Sequence, residues 1–217
     1  IVPATAVRER LGDDVALVSL ILANNEIGTI QPVPEVAAAV RACGATMHTD
    51  AVQAVGQMRV SLIDLGVDLL SVSAHKIYGP RGVGALLARK GVPLAPQVLG
   101  GSQEGNRRAG TENVAGIVGF AVALLLADAE LDARAAHLLA MRSLLLDELV
   151  ERIPHMSVNG DLTRRLPNNL NVHLPGTEAQ SLLQRLDLHN IAAASGSACA
   201  TGSPEPSHVL LALGLPE

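Results

Sequence analysis

The stretch Ser71-Val72-Ser73-Ala74-His75-Lys76-Ile77-Tyr78-Gly79-Pro80 decides how this chain is read. A short apolar run over residues 67–72 delivers one lysine, Lys76, to a loop rich in small residues. Only two lysines, Lys76 and Lys90, stand against fourteen arginines, so a reaction that needs a primary amine has few candidates. Lys90 lies in Arg89-Lys90-Gly91 and reads as an exposed turn. A lysine at a strand's end, flanked by the hydrogen-bonding groups of Ser73 and His75, suits Schiff-base chemistry, which needs a positioned amine whose pKa its surroundings can lower. The plain alternative is a solvated loop lysine.

Two further apolar segments end in the same manner. His48-Thr49-Asp50-Ala51-Val52-Gln53 closes one with a carboxylate, and Leu22-Ala23-Asn24-Asn25-Glu26 closes another with paired amides. In open α/β sheets ligands sit beyond the carboxyl ends of the strands, so Asn25, Asp50, Gln53, Ser73, His75 and Lys76 are expected to converge. Singly, each has a simpler role: Asp50 caps a following helix, Asn25 bonds a turn, Gln53 is solvated. Their joint order and spacing carry the signal.

At 217 residues the chain suits one large domain, or one domain with a smaller companion. Hydrophobic residues make up 48% and aromatics 1%, with Tyr78, Phe120 and no tryptophan, so the core must be built from Ala, Val, Leu and Ile. A net charge of -5, a pI near 5.8 and the lack of a basic block argue against a nucleic-acid or anionic membrane surface. The longest apolar run, residues 114–127, is broken by Gly116 and Gly119 and is too short to span a bilayer. Cys43 and Cys199 lie far apart, no disulfide framework is indicated, and no cleavable leader is recognised, so a cytoplasmic protein is the expectation. His48 and His75 have no second ligand pair at zinc-like spacing, and no metal is expected.

Strands are expected over residues 15–22, 45–48, 67–72 and 83–88, the last either parallel or returning antiparallel. Helices are expected over 3–11, 34–42 and, briefly, 51–55. This alternation predicts an α/β fold, a mainly parallel sheet with helices on both faces. A glycine-rich loop over 99–110 leads to Thr111, a plausible N-cap for a long helical region that bends near Asp128 and stops at Pro154. Then follow a strand over 170–174, a helix over 177–188, a strand over 191–194, a loop over 195–206 and a final helix through Leu213. A boundary between about Ala127 and Ala133 separates a sheet-based large domain (1–128) from a smaller α+β domain (129–217).

Two other motifs bear on chemistry. Ala194-Ser195-Gly196-Ser197-Ala198-Cys199-Ala200-Thr201-Gly202-Ser203 surrounds a thiol with small residues, as an exposed cysteine on a mobile loop would be, whereas Cys43 is expected to be buried and inert. The run from Gly100 to Asn113 brings a glycine-rich loop into a helix N-terminus, in general terms a phosphate cradle or a hinge.

The series Asn-Asn-Glu, Asp-x-x-Gln and Ser-x-His-Lys, followed much later by Ser-Gly-Ser-Ala-Cys, strongly resembles the cysteine desulfurase family of pyridoxal 5'-phosphate (PLP) enzymes, class V aminotransferase-like proteins of the PLP-dependent transferase fold type I. The resemblance runs along nearly the whole chain. It implies that Lys76 binds PLP covalently, Asp50 pairs with the pyridinium nitrogen, Gln53 bonds the phenolic oxygen and Val52 lies against one face of the ring. Ser73 and His75 would hold the phosphate, and Asn25 would lie near the substrate carboxylate. Thr111 would reach the neighbouring subunit's phosphate across a homodimer, with Arg107 or Arg108 lining the shared site. Cys199 would take sulfur from L-cysteine as a persulfide, leaving L-alanine, and pass it to an acceptor or scaffold protein for iron-sulfur cluster assembly or tRNA thiolation. The long loop with Glu205-Pro206-Ser207-His208 resembles that branch more than the selenocysteine lyases. The alternatives are a selenocysteine lyase, or an inactive fragment serving as a dimerisation or scaffold-binding module. The family pattern also includes an N-terminal portion, with a phosphate loop and a ring-stacking histidine, and an arginine beyond Leu215. An incomplete fold is therefore expected.

Overall fold

A computed structural model describes residues 1–196 and 207–214. The central sheet has the order β1 (Leu17–Ile21), β2 (Thr46–Asp50), β3 (Leu69–Ser73), β4 (Gly84–Ala88). The first three strands are parallel, in a register that sets Ile21 beside Asp50 and Asp50 beside Ser71. Strand β4 returns antiparallel, with Ser73 opposite Gly84. Residues 74–83 are too few for a parallel crossover, which takes about a dozen residues or more, so chain length alone settles this direction.

Side chains alternate across each strand. On β2, Met47 and Thr49 are buried while Thr46, His48 and Asp50 point to the other face. The buried face receives α2 (Val33–Ala42), whose Val33, Val36, Ala37 and Val40 recur at helical spacing and pack with Leu22, Met47, Val67 and Leu70. Each buried valine contributes about 1.5–3 kcal/mol, which makes α2 the main apolar clamp on the sheet. Gly44, at φ 79, ends this helix in the left-handed conformation that glycine adopts without strain. Helix α1 (Ala4–Arg8) packs against α2.

After the four-residue α3 (Gln103–Asn106) comes α4 (Val114–Ala129), which lays Phe120, Ala123 and Ala127 on Ala74, Ile77, Val72 and Val83. Leu70 and Val72 share a face of β3, so α2 and α4 cover the same side of the sheet. The opposite face carries a polar bridge across three strands: His48 Nδ1 lies 2.7 Å from Ser19 Oγ and His48 Nε2 lies 2.8 Å from Ser71 Oγ.

Helix α4 bends by 66° into α5 (Leu131–Arg152), and no single helix among the described residues is long and apolar enough to cross a membrane. Beyond α5, β5 (Ser157–Val158) pairs antiparallel with β6 (Val172–His173), followed by α6 (Ala179–Leu188) and α7 (His208–Ala212). Three local expectations are corrected. Residues 51–55 form turns rather than a helix. Residues 191–194 form no strand, because Ile191 N folds back onto Leu186 O (2.9 Å) and these exposed residues gain no pairing partner. Cys43 is exposed rather than buried, its thiol donating to Val40 O at 3.1 Å as α2 ends.

Candidate active site

At the end of β2, Asp50 Oδ1 accepts a hydrogen bond from Val52 N (2.9 Å), which turns the chain sharply. Ala51 and Ala54 are fully buried and pin this turn, leaving Val52 and Gln53 half-buried between them. Small anchors on either side therefore present two larger side chains at the sheet's rim.

Strand β3 ends in a 3-10 turn, Ala74–Ile77. Its period of about three residues sets buried Ala74 and Ile77 on one side and exposed His75 and Lys76 on the other. Ser73 Oγ lies 2.7 Å from His75 Nδ1. Tyr78 then takes a left-handed φ of 64, and a Cβ on Gly79 would lie 3.0 Å from Ala74 Cβ and 3.1 Å from Ala123 Cβ. Glycine at 79 thus lets α4 close on the turn that holds Lys76.

The end of β1 is built differently. Asn24 Oδ1 accepts from Glu26 N (2.9 Å) and Ile27 N (3.0 Å), so the turn role falls to Asn24, and Asn25 is exposed. This turn is held by residues far along the chain. Asn169 Nδ2 and Asn171 Nδ2 donate to Glu26 O (2.9 and 3.2 Å), Leu166 N donates to Gly28 O (2.9 Å), and Asp161 N donates to Thr29 Oγ1 (3.2 Å). Arg165, 5% exposed, donates to the carbonyls of Asp161 and Asn159, and burial lowers its pKa. Sequence reasoning missed this polar junction, although the amide run Asn168-Asn169-Leu170-Asn171 was a usable signal for it.

Asn25, then Asp50 with Val52 and Gln53, then Ser73, His75 and Lys76 stand at the carboxyl ends of three adjacent parallel strands. Thr111 is not with them. It is exposed in a separate cleft of about 1050 Å³ beside β4, shared with Lys90, Arg107 and Arg108, and none of the strand-end residues lines that cleft. Nor does Thr111 cap α4: Asn113 does, its Oδ1 accepting from Gly116 N at 3.0 Å. Cys199 lies outside the described residues.

The strand-end donor set fits PLP: one amine, one carboxylate on the neighbouring strand, and a hydroxyl-imidazole pair able to donate to phosphate oxygens. With Nδ1 engaged by Ser73, the other imidazole nitrogen of His75 is the one that would meet a phosphate oxygen. Among the described residues no group of three or more His, Cys, Asp or Glu could hold a metal ion.

The aminotransferase class-V family model matches residues 2–214, and the chain belongs to that family, whose members depend on PLP. Among curated relatives, a cysteine desulfurase IscS of Dictyoglomus turgidum is 48% identical over 209 residues, covering 96% of this chain and 53% of that protein. A cysteine desulfurase IscS of Methanosarcina thermophila is 48% identical over 209 residues, covering 96% and 52%. The chain thus spans about half the length of the curated relatives it matches. Among solved structures, a NifS-like protein of Rickettsia africae superposes with a TM-score of 0.89 at 32% identity, covering 100% of this chain and 58% of that one. DndA of Streptomyces lividans gives 0.82 at 38%, covering 99% and 61%, so the fold is that of the NifS-like proteins.

Proposed function

We propose that this chain carries the lysine, the carboxylate and the acceptor thiol of a PLP-dependent cysteine desulfurase. The observation that carries the reading is the placement of Asp50 and Lys76 at the ends of the adjacent strands β2 and β3, in a chain 48% identical to proteins of that name. A solved neighbour at 32% identity, SspA, is described in complex with cysteine, which supports the amino acid as substrate class. Neither alternative weighed from the sequence gains support.

Lys76 would hold PLP, Asp50 would keep its ring nitrogen protonated, Gln53 would bond the phenolic oxygen, Val52 would support one ring face, and Ser73 with His75 would bind the phosphate. When bound, PLP withdraws electrons from the substrate's carbon skeleton. Asn25, exposed at the end of β1, would orient the substrate carboxylate. The bond between Cβ and sulfur in L-cysteine breaks and a sulfur-sulfur bond forms on Cys199, so that L-cysteine and the thiol become L-alanine and a persulfide with no outside oxidant. An acceptor protein then takes the sulfur. A homodimer is supported by the apolar α4 surface (Val118, Val122, Leu125 and Leu126 exposed) and by the cleft holding Thr111. We read residues 1–128 and 129–217 as two domains on the strength of the bend between α4 and α5, and the cytoplasm as the location.

The test uses the full gene product with Cys43→Ser, because exposed Cys43 would otherwise compete for label. L-cysteine should yield alanine together with one added sulfur atom on the Cys199 peptide by mass spectrometry, both lost in Lys76→Ala. Alanine formation with Cys199 unmodified, or undiminished in Lys76→Ala, would refute the reading.

A further inference from the structure

Tyr78 closes the turn that carries Lys76 at a φ of 64. Turn ends in this left-handed conformation ordinarily take glycine or asparagine, and for a bulky side chain the geometry is strained. Burial does not offset that strain, since Tyr78 is 87% exposed. What its ring does meet is a cation: the guanidinium carbon of Arg134 lies 5.7 Å from the ring centroid, within the range of a cation–π contact. Arg134 stands in the first turn of α5, its side chain 20% exposed. It is tied twice to Glu130 at the bend from α4, by an ion pair to the carboxylate and by its backbone N–H to the Glu130 carbonyl (2.9 Å). Asp132, in the same turn of α5, pairs at 2.7 Å with Arg59, which follows the turns that leave Asp50. Gly56 lies where these pieces meet, a Cβ there falling 2.9 Å from Ile77 Cγ2 and 3.6 Å from Ala127 Cβ.

Strain at a single exposed residue persists only where the surroundings determine it, and here the determinant is the ring's seat on Arg134. We infer that Arg134 is a positioning residue for Lys76: through the Tyr78 ring it fixes the end of the lysine's turn to the first turn of α5, so that the placement of the amine is coupled to the bend between α4 and α5. The apolar seat of Ala74 and Ile77 on α4 has little directionality. The stacked guanidinium adds a contact of defined geometry two residues beyond Lys76. Arg59 and Asp132 are 70% and 79% exposed, so their pair is worth little alone; it sets the Asp50 segment beside the same turn of α5. That Lys76 holds PLP rests on the desulfurase reading.

The test compares Tyr78→Phe, Tyr78→Asn and Arg134→Met in the full gene product. Asparagine tolerates the left-handed backbone but has no ring, and methionine keeps hydrocarbon without charge. Three readouts are taken: amide hydrogen exchange over residues 74–79 without coenzyme, the affinity for PLP by visible absorbance, and the urea midpoint. Tyr78→Asn and Arg134→Met should each speed exchange over 74–79 and weaken PLP binding by about two- to fivefold, the loss of one exposed cation–π contact, with the urea midpoint near that of the parent. The double variant should be no worse than either single one, and Tyr78→Phe, which keeps the ring, should match the parent. Tyr78→Asn decides the matter if Arg134→Met fails to fold. Parent-like exchange or affinity in Tyr78→Asn, losses that add in the double variant, or a Tyr78→Phe protein as impaired as Tyr78→Asn would overturn the inference. Failure of the desulfurase reading itself would show as no PLP fixed on Lys76 by borohydride in the unsubstituted protein, a result on which the exchange readout does not depend.

Discussion

The ends of β3 and β1 lie two strands apart in one sheet and are held by opposite means. The Lys76 turn is seated on hydrocarbon: Ala74 and Ile77 press into Phe120, Ala123 and Ala127, and Gly79 lets α4 approach. The Asn24–Ile30 turn is seated on polar groups: the Asn169 and Asn171 amides donate to Glu26 O, Asp161 N donates to the Thr29 hydroxyl, and the buried Arg165 guanidinium ties together the Asp161 and Asn159 carbonyls of the same junction. An apolar seat tolerates small changes of angle, since dispersion and burial have little directionality. A hydrogen-bonded seat fixes direction but depends on every partner, because an orphaned buried group costs more than a made bond contributes. The Lys76 amine thus sits on the forgiving support, and the turn presenting Asn25 and Glu26 on the directional one.

Substitutions can set these two supports against each other. Ile77→Ala should have the largest effect, a loss of about 2–5 kcal/mol from a buried side chain, read as a fall in urea midpoint together with weaker PLP absorbance. Arg165→Met should cost about 2–3 kcal/mol by leaving the Asp161 and Asn159 carbonyls unpaired. Unlike Ile77→Ala, it should leave the PLP absorbance of the folded protein unchanged. Gly79→Ala should cost about 1–3 kcal/mol through overpacking against Ala74 and Ala123; a neutral result would show that α4 can yield.

The smallest effect concerns acid. Asp161 Oδ1 accepts from Arg164 N, from the Thr163 hydroxyl and from Thr163 N, and these bonds hold its pKa below the ordinary aspartate value. The folded state therefore favours the ionised form. That stabilisation is present above the unfolded value near about 3.9 and fades as pH falls through the lower folded one. Asp161→Asn should be less stable than the parent at pH 7, with the difference shrinking towards about pH 3, measured by urea midpoints. A difference independent of pH would assign the turn's stability to shape rather than charge.

The contrast between the two supports also explains what could be read from the chain. The sheet and helices α2, α4 and α6 follow from local periodicity, and the three strand ends from the order of motifs around Asn25, Asp50 and Lys76. The polar junction did not follow, since Glu26 meets Asn169 and Asn171 across more than a hundred residues and such pairs leave no period. The Thr111 hydroxyl suits a helix cap, yet Asn113, two residues on, fills that role, its Oδ1 accepting from Gly116 N. Cys43 looked buried because it ends the buried stripe of α2, but the helix ends with it on the outer side.

The central claim is that Lys76 is the amine that holds the coenzyme, and within residues 1–217 Lys90 is its one competitor. The full gene product is incubated with PLP, reduced with borohydride to fix the coenzyme on its amine, and digested for mass spectrometry. The peptide containing Lys76 should carry the label and the one containing Lys90 should not. Label on Lys90 or on any other lysine, or no label on a folded protein, would contradict the claim.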